Sequence, residues 1–98
     1  MARNLLATDA GTRERAAGEI TDRLNAYSAG QASALATLLA AAAAVETEHS
    51  ALEAQLHAIL ELASTGHVTV GHVAQLREID PGKLPPELAA YVVDLLEG

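Results

Sequence analysis

Apolar residues recur along this chain at helical spacing, and polar or glycine-containing stretches mark where each rhythm stops. In TDAGTRERAAGEITDRLNAYSAG, residues Ala16, Ile20, Leu24 and Tyr27 fall on one side of a helix; Thr8 or Asp9 offers the N-cap and Gly30 is the expected stop. The opposite side carries Arg15, Glu19 and Arg23 four apart with alternating sign. Such a row is a solvated surface feature worth about 0.2–0.5 kcal/mol per pair.

The segment QASALATLLAAAAAVETE is apolar on every side, with Leu35, Leu38, Leu39, Ala42 and Val45 as its main stripe and alanines filling the remainder. A helix of that kind is expected to be buried all round, as the central helix or with one flank covered by another chain. Amphipathicity returns in TEHSALEAQLHAILELASTG, where Leu52, Leu56, Ile59, Leu60 and Ala63 point inward and Glu46, Ser50, Glu53, His57 and Glu61 outward. Gly66 supplies the left-handed stop.

Val68 and Val70 alternate as in a strand, but the run has no partner, so STGHVTVGHVAQL reads as a corner. Gly66 closes one helix, Thr69 caps the next, and Val73, Leu76 and Ile79 form its apolar side. Pro81 and Gly82 then turn the chain, and Pro85 or Pro86 opens a last helix with Leu88, Tyr91, Val92, Leu95 and Leu96 inward. The expectation is a single all-α domain over residues 1–98, with about five short antiparallel helices.

Composition narrows this picture. Half of the 98 residues are hydrophobic, yet Tyr27 and Tyr91 are the only aromatics, so the core is built from Ala, Leu and Val. The chain has no cysteine, which excludes disulfides and thiolate chemistry. MARNLLATDAG lacks the apolar length of a signal sequence, and Ala32 to Val45 falls short of the ~20 residues that span a bilayer. A soluble cytoplasmic protein without membrane contact is expected.

Charge is unevenly placed: acids and arginines balance up to Val45, whereas from Glu46 onward nine acids face Arg77 and Lys83, so the net −7 belongs to the second half. That surface repels nucleic acid and attracts basic partners. The arginines lie close to acids, and no basic patch with stacking aromatics appears.

Chemistry-bearing constellations are few. His49, Glu53 and His57 share helical spacing, and Glu46 with His49 forms the E-x-x-H pair of carboxylate-bridged metal bundles, but such a site needs a second copy that the chain lacks. A solvated polar face is the preferred reading, with a metal-dependent bundle around His49 and His57 kept as an alternative. His67 and His72 flank the corner without a serine or cysteine arranged for nucleophilic attack. Gly66, Gly71 and Gly82 form no phosphate-binding motif. No catalytic group, cofactor or metal is expected.

DAGTRERAAGEITDRL is similar to the helix of HEAT-like repeats that opens with Asp and carries an early Arg. ALEAQLHAILELASTGHVTVGHVAQLREIDPGKLPPELAAYVVDLLEG resembles the tail of small HEAT-like immunity proteins of bacterial polymorphic toxin systems. The shared elements are a leucine-rich helix (Leu56 to Leu62), a Gly-x-Val corner (Gly66, Val68), a short helix ending at an Asp-containing turn (Leu76 to Asp80), and a final helix with Tyr91, Leu95 and Leu96. The resemblance implies HEAT-like helical hairpins or a small bundle. It also implies a non-enzymatic protein that binds a cognate toxin, commonly a nuclease or other hydrolase, and blocks its active site.

It transfers no binding residue. The acidic half itself nominates Glu46, Glu53, Glu61, Glu78 and Asp80 as contacts for a basic toxin, with His57, His67 and His72 at the rim. The competing expectation is a structural homo-oligomer or scaffold subunit, dimerising through the alanine-rich Leu35–Val45 segment.

Overall fold

The computed structural model describes residues 2–97. Four α-helices carry the chain: α1 (Ala10–Asp22), α2 (Ala29–Ala44), α3 (His49–Ser64) and α4 (Pro86–Glu97). Shorter 3-10 helices cover Ala2–Leu6, Leu24–Ala26, Val70–Glu78 and Pro81–Lys83. No strand occurs among the described residues, and the 3-10 segment Val70–Glu78, two short helical pieces joined at a kink, is the fifth substantial element of this all-α fold.

Local chemistry places the helix starts. Asp9 accepts from the Thr12 N–H at 2.8 Å and from its hydroxyl at 3.0 Å, which decides between the two N-cap candidates. Those bonds also hold the Asp9 carboxyl below its ordinary range. At α2 the Ser28 hydroxyl accepts from the Gln31 N–H at 3.2 Å while the Gln31 side chain accepts from the Ser28 N–H at 2.9 Å, a reciprocal cap. Gly30 therefore lies in the first turn of α2 and stops nothing; α1 has already ended at Asp22, followed by the Leu24–Ala26 turn.

Gly66, at φ +86°, ends α3 as expected. The corner beyond it is no strand: Val68 and Val70 are half-buried, and the Thr69 N–H donates to His72 Nδ1 at 3.0 Å to start the 3-10 helix. That helix kinks at Val73 (φ −117°, ψ 24°) and buries Val73 and Leu76.

One hydrophobic cluster runs from Leu5 to Leu95. Its hub is α3, which packs against α1, α2 and α4 and buries Leu52, Leu56, Ala58, Ile59 and Leu62. The alanine-rich α2 is not the centre. It lays Ala32, Ala36, Leu39, Ala40 and Ala43 against α3 and the Val70–Glu78 helix, while Ala34, Thr37 and Val45 face out. Two members of its expected stripe, Leu35 and Leu38, are half-buried, and Val45 is 75% exposed.

The reason is dimensional: the molecule measures 34 × 30 × 17 Å. Its short axis holds roughly two helix layers at 8–10 Å spacing, so few helices are surrounded. Alanine lets α2 approach its neighbours closely, and the Thr37 hydroxyl ties it to the His72 carbonyl at 2.7 Å. Among the described residues no helix is long and apolar enough to cross a membrane.

Candidate functional site

The acids nominated by the sequence divide into three groups once their neighbours are in place. Glu46 is not a surface contact. Its side chain is wholly covered and forms a bidentate pair with Arg13, Nε to Oε1 and Nη2 to Oε2, each at 2.8 Å. The Gln55 amide donates to Oε1 at 2.9 Å, and the N–H groups of Thr47 and Glu48 donate to Oε2 at 3.0 and 3.1 Å.

Five donors on one carboxylate favour its charged form. Led by the Arg13 bonds, they bring Glu46 from an ordinary 4.5 down to about 2. The same pairing raises Arg13 further. Arg13 Nη1 also donates to the carbonyls of Ala7 and Thr8 at 2.8 and 2.9 Å. The cluster thus clasps the N-terminal segment and α1 to the connection between α2 and α3. Glu46 lies outside α3, so the expected E-x-x-H pair with His49 is not carried on one helix.

Glu78 and Asp80 are exposed beside Lys83, in a recess against Ala43 and Ala44 that Glu46 also lines. The Asp80 carboxylate accepts from the Gly82 N–H at 2.9 Å and shapes that turn. His72 is used as a helix cap, and His67 is exposed at the corner with its backbone N–H 3.4 Å from Thr65 Oγ1.

The remaining group is brought together. Glu53, His57 and Glu61 follow one another along the outer side of α3, with His57 Nε2 3.6 Å from Glu61 Oε1. Glu14 of α1 and Tyr91 of α4 line the same shallow recess as Glu53 and His57. One step further along α3, Glu61 and Asp94 of α4 are the charged residues lining a groove floored by aliphatic side chains, including Leu60, Val68 and Val73. Leu60, expected to point inward, is 40% exposed there.

Helices α1, α3 and α4 thus supply Glu14 and Glu53 to one recess and Glu61 and Asp94 to the next, the two linked along α3 by His57 and Glu61. Glu14 and Asp94 carry no local signal of this role, since each lies far along the chain from α3. Their placement follows from the packing of α1 and α4 on α3.

The expected Arg15, Glu19 and Arg23 row does not close into ion pairs; Arg15 donates instead to Thr12 Oγ1 at 3.2 Å. Among the described residues no three His, Asp or Glu side chains converge as a metal-ion set. Compared with models of known protein families, with curated proteins and with solved structures, the chain matches none.

Proposed function

We propose that this chain is a non-enzymatic binding module of the cytoplasm that receives a basic protein on the face formed by α1, α3 and α4. Following the resemblance of its second half to small immunity proteins, that partner is a toxin whose basic cleft the module blocks. The observation that carries this reading is the pair of recesses linked along α3, one lined by Glu14 and Glu53 and the other by Glu61 and Asp94. Carboxylates grouped in this way steer a basic cleft toward the surface and act more on association rate than on final affinity. His57 sits among them as a contact at the rim.

The test uses the purified chain and the product of the adjacent reading frame in its source genome, expected on this reading to be basic, with association rates followed at about 50 mM and about 300 mM salt, where screening lengths differ by more than twofold. The expected result is a rate that falls as salt rises and falls at least tenfold in the double variant Glu53→Lys, Glu61→Lys. A complex indifferent to both salt and charge reversal, or no complex, rejects the reading. Charge reversal at Glu78 and Asp80 is the matched control, expected to change the rate less than twofold because neither residue lines the recesses that hold Glu53 and Glu61.

A further inference from the structure

Beside the acidic face lies a groove of about 490 Å3 between the C-terminal half of α3, the corner at residues 64–70 and the end of α4. Leu60, Ala63, Val68, Val70, Val73 and Leu95 give it an aliphatic lining. Among the described residues Leu6 and Leu60 are the exposed leucines, and Leu60 is the one seated in a groove. The charged members of the lining are Glu61 and Asp94, both acidic.

The geometry points to a basic amphipathic helix of a partner protein as the occupant, its aliphatic stripe on Leu60 and Val68 and its lysines or arginines against Glu61 and Asp94. This rests on the proposed binding role and specifies which part of the partner enters. A groove walled by helices accepts a helix through anchors at i, i+3 or i+4, and i+7. Charge selects among helices: an acidic one meets two like charges at the rim, and a basic one two opposite charges.

The same argument tells against a second copy of this chain docking through its α3 or α4. Neither α3 nor α4 contains a lysine or arginine, while α3 carries Glu53 and Glu61 and α4 carries Glu87, Asp94 and Glu97. Self-association through either would set carboxylate against carboxylate.

The probe is a synthetic peptide of about 18 residues, roughly 27 Å as a helix, with leucines at helical spacing and lysines elsewhere. Two controls accompany it: the same composition scrambled so that no apolar stripe forms, and the striped peptide with glutamate replacing lysine. Each is titrated into the full chain with its methyl groups followed by NMR. The expected result is saturable shifts of the Leu60, Val68 and Val73 methyls, at least tenfold weaker binding by either control, and a comparable loss with Leu60→Ser or with Glu61→Gln, Asp94→Asn.

Equal binding of the scrambled peptide with silent groove methyls overturns the groove inference yet leaves the charge-driven reading intact. Equal binding of the glutamate peptide overturns the requirement for a basic helix, and absence of any binding overturns the inference outright, the toxin reading being judged on its own association experiment. A dimer of the free chain that Leu60→Ser dissociates makes a second copy the occupant and also overturns it. Unchanged helical circular dichroism in each variant separates loss of binding from loss of fold.

Discussion

Removing the Glu46 carboxylate leaves the Arg13 guanidinium with the Ala7 and Thr8 carbonyls and only the more distant charges of Asp9 and Glu48, and takes the acceptor from the fully buried Gln55 amide. Deleting the acceptor is costly chiefly because the buried Gln55 amide then goes unpaired, while Arg13, partly exposed, recovers some hydration. Glu46→Ala is therefore expected to destabilise the protein by about 1–3 kcal/mol in urea titration. The pair is also acid-sensitive in a defined direction. Glu46 is held at about 2 in the fold against an ordinary 4.5, so its contribution is complete above 4.5 and is lost as pH falls toward 2. Thermal melts taken from neutral to acid pH should show the gap between the native chain and Glu46→Gln closing over that window. Asp9 is lowered too and weakens in the same direction, but it does so equally in both proteins. Nothing local in the sequence marks Glu46 for this role: Arg13 lies 33 residues away, and Glu46 reads as one more outward acid.

At the scale of single elements, some helix starts were legible because capping is a matter of three or four adjacent residues, whereas the Ser28 cap of α2 and the start of α3 after Glu48 were not read. Thr69 was identifiable on that ground, as were the stop at Gly66 and the choice of Thr8 or Asp9 for α1, which the bonds to Thr12 settle in favour of Asp9. Gly30 shows the limit of such reading, since a glycine after an apolar run looks like a terminus unless the Ser28 and Gln31 cap beside it is recognised. A paired substitution separates the two uses of glycine. Gly18 lies inside α1 with open space where a Cβ would go, so Gly18→Ala should raise stability by about 0.5–1 kcal/mol. Gly66 holds φ at +86°, and Gly66→Ala should lower stability by about 1 kcal/mol despite equally open surroundings. Chemical denaturation of both variants measures the contrast, which depends on backbone conformation and not on space.

For the whole molecule, the layer arrangement determines which surfaces remain for partners. The alanines once expected to offer a dimer interface are largely spent within the chain: Ala40 is fully covered and Ala43 nearly so. Ala40→Glu is expected to abolish cooperative unfolding of the monomer, because the new charge is buried without a partner. Ala34→Glu, at an exposed position of α2, should leave stability within about 0.5 kcal/mol. Sedimentation and thermal melting of the two variants therefore give different answers. If a homo-oligomer through α2 existed, Ala34→Glu would dissociate it without unfolding the chain.

Helical spacing, the capping residues, the aliphatic composition and the acidic second half belong to the sequence itself, because each is a property of neighbouring residues or of simple sums. Those features suffice for an all-α fold of about five helices and for a negatively charged exterior. Tertiary structure alone decided that α3 and not α2 is the hub, that Glu46 is enclosed by Arg13 and Gln55, and that Glu14 joins Glu53 in one recess while Asp94 joins Glu61 in the next. The physical reason is that periodicity tells which side of a helix is apolar, whereas solvation of a given side chain depends on which distant element packs over it.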